Sequence, residues 1–358
     1  MSALAERKRV VVVGGGIGGA FSAKLLEDCS DVTLIDPKDY LEIPYGNLRC
    51  TVQPDFAERS LVLHSDYLKK AKHVLGFAER ASITEVVTST GDILPYDFLV
   101  LATGSTHQGP STKAERMKEF QSENKKLKEA KKALIIGGGP VGVELAGEIV
   151  VDFPEKEVVL AHNGDRLIEF LGPNASNKTA SWLKKKHVDI RLHEKVNLDN
   201  VSGSSHVYTT SNGDSIEADC HFLCVGKKVS SSWMQSTMLA EDLDETGRLK
   251  VDEFLRVNGH SNIFAVGDIT AIKEIKQGFL AGKHAEVVAN NVKKLIADPG
   301  SKLGVYKPLA SPMGIVSLGR SIAVAQLPFG TILGWIPGLL KSKDLFVGKT
   351  RKGLGLKS

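Results

Sequence analysis

The chain is poor in the residues that would mark it as anything but an ordinary folded protein. Cysteine is scarce, four in 358 residues, which excludes a disulfide scaffold. Cys29 and Cys50 stand alone, and no C-x2-C or C-x4-C pair is present to relay electrons through a dithiol. Cys220 and Cys224 share the apolar stretch DCHFLCVG, which reads as a strand. Four strand residues span about 13 Å, whereas a disulfide needs Cα atoms within about 7 Å, so this pair is not expected to bridge. The N-terminus, MSALAERKRVVVV, has no separate apolar region followed by a cleavage site, so no signal peptide is read. Ser2 in place of glycine excludes N-myristoylation, and the sequons at Asn174, Asn177 and Asn200 are then chance matches. No metal site is assigned.

Charge of one sign is also lacking. Lys and Arg total 46 against 42 Asp and Glu, a net +4. Residues 341–358 hold six basic residues against Asp344, so the rest of the chain sums to −1 and the basicity belongs to the tail. No nucleic-acid partner is expected from a nearly neutral body. The charged stretch 113–132 has eight basic and four acidic residues alternating at helical spacing, with Phe120 its one aromatic. It reads as a solvated linker helix. A long uncharged run exists at Ile322–Leu340, nineteen residues, but Pro328 and Gly330 would break one spanning helix. It reads as strand, turn and a short apolar helix over about 331–340. Two readings of that helix stay open: its Trp335 and Leu339–Leu340 lie at a membrane interface beside Lys341 and Lys343, or they pack on the rest of the protein.

Hydrophobic residues at 42% and charged residues at 25% are those of a globular protein, and the length suits two or three domains. Glycine is plentiful, at 35 residues. Its arrangement carries the main signal. After the apolar run Arg9–Val13 comes GGGIGG, with Gly14, Gly16 and Gly19 at G-x-G-x-x-G spacing. A helix-compatible stretch and the apolar run DVTLID follow, ending in Asp36. Gly14 makes the tight turn, Gly16 admits a pyrophosphate to the backbone, and Gly19 lets the helix close on the strand. The helix N-terminus then offers free N–H groups to phosphate, and Asp36 is placed to accept from ribose hydroxyls. The pattern recurs from Lys132, with Gly137, Gly139 and Gly142. There His162 takes the acidic position and Arg166 lies four residues on. A histidine does not repel a 2′-phosphate, so both NADH and NADPH are expected as donors. Two dinucleotide sites suggest a flavin and a nicotinamide.

Two further buried strands end in Ala-Thr-Gly (YDFLVLATGS, Tyr96–Ser105) and in Gly-Asp (NIFAVGD, Asn262–Asp268). The order of these four motifs resembles the two-dinucleotide-fold flavoprotein reductases. The stretches KEVVLAHNG, GFLAGKHAEVVANNV, VYKP, SLGR and KSKDLFV are similar to the ferroptosis suppressor protein subfamily, the apoptosis-inducing-factor-like NAD(P)H:quinone oxidoreductases. This resemblance implies an α/β protein with two Rossmann-like domains, for FAD and NAD(P)H, the second inserted in the first. The expected boundaries are 1–112 and 253–300 for FAD, 113–252 for NAD(P)H, and 301–358 for a small C-terminal α/β segment with the basic tail. It implies Arg49, Val74, Thr103, Gly104, Asp268, Lys276 and Gln277 beside FAD, and Gly226 beside the nicotinamide nucleotide. Glu144 and Lys341 are the implied catalytic pair and Phe346 the implied quinone contact. The implied acceptor is a lipophilic quinone, with rivals in a small electron-carrier protein or a redox-switch role.

Overall fold

The computed structural model describes residues 7–106, 109–198 and 206–358. The extreme N-terminus and Asn200, on which the readings of leader, lipidation and one sequon rest, lie outside the described residues.

The first sheet is built around β1 (Arg9–Val13), which runs through the first glycine loop into α1 (Ile17–Leu26) and then β2 (Asp31–Asp36). After α2 (Asn47–Val52) come β3 (Lys72–Leu75) and β4 (Phe98–Leu101). β1 pairs in parallel with β2 and β4, and β3 extends the sheet beyond β2. Val10–Val13 are at most 3% exposed. Val10 and Val12 pack with Ala20, Ala23 and Leu34, while Val11 and Val13 pack with Leu99 and Leu101 in the opposite layer. A parallel strand covered on both faces has no polar side, which explains the unbroken apolar run. Each valine so buried contributes about 1.5–3 kcal/mol.

α3 (Lys113–Glu129) leads to the second sheet, capped by Thr112, whose hydroxyl accepts from Glu115 N at 3.3 Å. It is a helix as expected but not a solvated one. Phe120 and Leu127 are at most 1% exposed, and Asn124 Nδ2 donates to Thr51 O and Val52 O on α2, both at 2.9 Å. Two of its charges join the packed face: Arg116 donates to Glu42 Oε1 at 2.9 Å, and Glu123 Oε2 accepts from Thr51 Oγ1 at 3.1 Å.

The second sheet repeats the first: β5 (Lys132–Ile136), α4 (Pro140–Asp152), β6 (Glu157–Ala161), β7 (Asp189–Arg191) and β8 (Cys220–Leu223). Its parallel order is β7-β6-β5-β8. All four cysteines are free. β9 (Ile263–Ala265) then pairs in parallel with β4, so the second sheet is inserted between two strands of the first. The chain returns earlier than residue 253, however. Met234, Leu239 and Leu249 are fully buried in the layer of Val11 and Leu99. Val229 already bridges Ser105, and Ser230 N donates to Gly104 O at 3.0 Å. We place that boundary near Gly226, because the outgoing and returning chains run side by side there.

α5 (Gly278–Ala297) covers α1 through Val288 and Val292. The C-terminal segment is an antiparallel meander, β10 (Gly314–Leu318), β11 (Ile322–Leu327) and β12 (Gly330–Gly334), followed by α6 (Trp335–Leu340) and α7 (Val347–Gly353). The helix expected from about 331 begins at Trp335, because Ile332 and Leu333 pair with Ala325 and Val324 across the meander. Among the described residues no helix is long and apolar enough to cross a membrane. The basic tail is anchored: Leu345, Val347 and Leu354 are at most 1% exposed and belong to the first core.

Candidate functional site

The two glycine loops are built alike. Gly14 has φ +100°, and a Cβ on it would lie 2.5 Å from Ala102 O. Gly137 has φ +117°, and its Cβ would lie 2.5 Å from Cys224 O. A Cβ on Gly19 or Gly142 would come within 1.7 or 1.9 Å of the oxygen of Gly14 or Gly137, so these glycines let each helix close on its loop. Gly16 and Gly139 are different. No atom lies within 4 Å of where their Cβ would be, and they are the N-caps of α1 and α4. The exposed backbone, the helix N–H groups and the dipole together form a phosphate cradle, and the chain has two.

Polar atoms without partners mark the rest of both clefts. Thr103 Oγ1, just past β4, and His162 Nε2, just past β6, are buried with no hydrogen bond. Native interiors seldom leave such atoms unpaired, so a ligand's polar atoms fit there. Gly104 and Gly226 also face open space. These features suit one dinucleotide in each cleft.

Asp36 ends β2 and is 3% exposed. It accepts from Gly15 N, from Lys38 N at 2.8 Å and from Lys38 Nζ at 3.0 Å. Burial opposes its ionisation, but the His64 and Lys38 contacts and the Gly15 N–H outweigh it and hold the carboxyl well below the usual range. Val74 sits beside this corner, in register with Ile35. Past β9, burial pushes the Asp268 carboxyl up, with Lys276 and Arg248 opposing. Lys276 Nζ donates to Ile272 O at 2.9 Å and Thr270 Oγ1 at 3.3 Å. Gln277 Nε2 donates to Met313 O at 2.9 Å, tying this turn to the C-terminal segment.

Glu144 and Lys341, far apart in sequence, meet. Lys341 Nζ lies 2.5 Å from Glu144 Oε1 and donates to Ile315 O at 2.8 Å. Ser317 N donates to the same carboxylate oxygen at 2.9 Å. Phe346 is half-buried and meets Tyr45 edge-on, with ring centroids 5.9 Å apart. Leu345 and Phe346 both hold left-handed backbone, φ +50° and +55°, a strained pair at the mouth of the tail.

Two expected residues are engaged elsewhere. Arg49 grips Glu148 through Nε and Nη2 at 3.2 and 2.8 Å. Its Nη1 and Nη2 donate to Lys343 O and Ser342 O at 3.2 and 2.7 Å. Every guanidinium nitrogen is thus committed to protein, so Arg49 joins α2, α4 and the C-terminal segment rather than presenting a free cation to a flavin. Arg166 donates to Leu171 O and Glu169 O at 2.7 and 2.8 Å, which folds its head into its own loop rather than toward a 2′-phosphate.

Sequence reasoning missed Tyr45, Glu148, Asp152 and Arg320. Glu144, Glu148 and Asp152 recur every fourth residue on the otherwise apolar α4, and that period is readable in the sequence. Their partners are not: Lys341, Arg49, and Arg320, whose Nε donates to Asp152 Oδ1 at 2.9 Å.

Comparison with known proteins agrees with this architecture. The chain is 31% identical to apoptosis-inducing factor homolog B of Dictyostelium discoideum, over 96% of either chain. It is 33% identical to ferroptosis suppressor protein 1 of Xenopus tropicalis, over 98% of this chain and 96% of that one. Its fold matches the solved sulfide:quinone oxidoreductase of Aquifex aeolicus with a TM-score of 0.77 at 19% identity, covering 97% of this chain and 92% of that one. The family model for pyridine nucleotide-disulphide oxidoreductases matches residues 8–286. Two phosphate cradles on two parallel sheets are what that match requires, and the chain belongs to the pyridine nucleotide-disulphide oxidoreductase family of FAD-dependent, NAD(P)H-using enzymes.

Proposed function

We propose that this oxidoreductase passes electrons from NADH or NADPH to a lipophilic quinone, received where the C-terminal segment meets the nucleotide clefts. One observation carries the reading. α6 presents an uncovered apolar face, with Trp335, Ile336, Leu339 and Leu340 exposed by 63, 54, 59 and 63%. A contiguous face of this kind marks a site of interaction with something apolar. The next residue is Lys341, buried and paired with Glu144 on the helix that follows the second cradle. A lipophilic surface therefore leads within one residue to an ion pair on the helix that starts at the second cradle. Exposed Lys343, Lys349 and Lys352 follow it, which suits an anionic membrane surface holding such a quinone. The similarity to relatives named ferroptosis suppressor protein 1 supports the same acceptor class.

Bound FAD supplies the two-electron chemistry that links nicotinamide to acceptor. The chain's own part is to bind and place. The cradles at Gly16 and Gly139 would hold the phosphates, with Asp36, Thr103 and Asp268 on the FAD side and His162 on the NAD(P)H side. Two of the three Lys341 ammonium hydrogens are committed, to Glu144 and Ile315 O. The third has no partner among the described residues and would serve a developing negative charge on an acceptor oxygen. Thiols take no part in this reading. Burial pushes Cys50 and Cys224 up to about 12 and Cys220 up to about 11, so none of the three offers a thiolate at neutral pH.

The test is turnover of NADH by holoenzyme with a long-chain quinone in anionic vesicles. Replacing Trp335, Leu339 and Leu340 together by serine is expected to lower that turnover by about tenfold or more, in line with the loss of three interfacial side chains. NADH should still bleach the flavin at the parent rate. Turnover with a small carrier protein alone would replace the quinone by that carrier.

A further inference from the structure

Tyr45 is set by a short turn just before α2. Gly46 N donates to Ile43 O at 3.0 Å, and Pro44 takes the second position of the turn, where its fixed φ belongs. Ile43 N donates to Ser60 O at 2.9 Å, which anchors the turn at its start. A Cβ on Gly46 would be 3.1 Å from Val347 Cγ2, so glycine there lets the turn lie against the tail. The phenol reaches from this turn to the start of α5. A Cβ on Gly278, the first residue of that helix, would be 2.5 Å from Tyr45 Oη. A second glycine therefore makes room for the hydroxyl.

Aromatic side chains from three separate parts of the chain gather here. Tyr45 meets Phe346 of the tail edge-on, with centroids 5.9 Å apart. Phe279, next to Gly278, is 49% exposed, and Lys349 Nζ of α7 lies 5.9 Å from its ring centroid. Such rings suit a flat, apolar guest. A guest with polar atoms also needs a partner for them. Among the described residues Tyr45 Oη makes no hydrogen bond, and unlike Thr103 Oγ1 it is not sealed from solvent. Burial, with the Asp268 carboxylate adding to it, pushes the phenol above its ordinary value. The hydroxyl thus keeps its hydrogen at neutral pH and is an uncommitted donor.

We propose that Tyr45 is a specificity-determining residue for the electron acceptor, its hydroxyl donating to a carbonyl oxygen of a quinone ring seated against Phe346. The hydroxyl stands between Asp268, on the FAD side, and Phe346, on the tail, which is where an acceptor meeting the flavin has to come. An acceptor that carries no such oxygen gains nothing from it. The proposal rests on the reading of the acceptor as a quinone.

Stopped-flow reoxidation of NADH-reduced holoenzyme tests this with two acceptors. One is a short-chain ubiquinone, and the other is ferricyanide, which takes one electron at a time and has no carbonyl oxygen. Tyr45→Phe removes a hydroxyl that no protein group engages, so the ring, its packing and the fold are kept. The variant is expected to lose about fivefold in the second-order rate with ubiquinone, as loss of one hydrogen bond does. Its rate with ferricyanide, its flavin absorbance and its reduction by NADH should match the parent. Equal slowing with both acceptors would put the hydroxyl on the flavin, and an unchanged ubiquinone rate would make Tyr45 a packing residue. Either result overturns the proposal and leaves the quinone reading standing. A parent enzyme that ubiquinone does not reoxidise, while ferricyanide does, overturns that reading and this proposal with it.

Discussion

Lys341 and Glu144 form a buried ion pair, Nζ to Oε1 at 2.5 Å, across 197 residues of sequence. Both side chains are under a tenth exposed, at 9 and 8%. The pair fastens the C-terminal segment to α4, beside Arg49–Glu148 and Arg320–Asp152 on the same helix. Three acids on one helix, each answered by a cation from outside it, couple the NAD(P)H cradle to the segment proposed to meet the acceptor.

Removing only one partner strands the other charge in the interior. Lys341→Met is expected to cost about 3–5 kcal/mol of stability, and the double variant with Glu144→Gln distinctly less than the two single changes summed. Denaturant unfolding measures this. In stopped flow, Lys341→Ala should slow reoxidation by quinone more than reduction by NADH. Slowing confined to the reductive half would assign the lysine to the nicotinamide instead.

Acid should weaken the turn that carries Asp268 through His284. That ring is 1% exposed, with Nδ1 accepting from Gly267 N at 3.0 Å and Nε2 bonded to Glu274 at 2.8 Å. Tyr306 Oη donates to the same glutamate at 2.8 Å. Burial lowers the imidazole to about 4, opposed by Glu274 and reinforced by Lys276. The unfolded chain takes up its proton near the ordinary value of about 6.5, the folded chain only near 4. The stability tied to the neutral ring is thus complete above about 6.5 and falls by about 3 kcal/mol as the pH drops to 4. His284→Gln should flatten this part of the urea-midpoint curve, and identical slopes in parent and variant would clear His284 as its source.

Coenzyme choice turns on His162, not Arg166. With no acid at the end of β6 and Arg166 committed to Leu171 O and Glu169 O, kcat/KM for NADH and NADPH should differ by less than about a hundredfold, or 2.7 kcal/mol. His162→Asp adds a ribose acceptor that repels a 2′-phosphate and should shift the ratio toward NADH by about tenfold or more. Arg166→Ala should leave the ratio within about threefold of the parent. A collapse of NADPH use in that variant would mean that the arginine leaves its loop to meet the phosphate.

What the sequence by itself determined is the pair of nucleotide clefts. A positive φ at Gly14 and Gly137, and helix closure at Gly19 and Gly142, are demands of local backbone. A local demand appears as a residue type at fixed spacing. Strands covered on both faces are likewise visible as continuous apolar runs, and the resemblance carried by the order of the four motifs already implied an inserted second unit. Tertiary structure decided the rest, because ion pairs and strand partners separated by hundreds of residues leave no period to read. It turned Arg49 onto Glu148 and set Lys341 against Glu144. It drew residues 330–334 into a strand through pairing with β11, and it buried the apolar side of a tail that composition alone describes as basic.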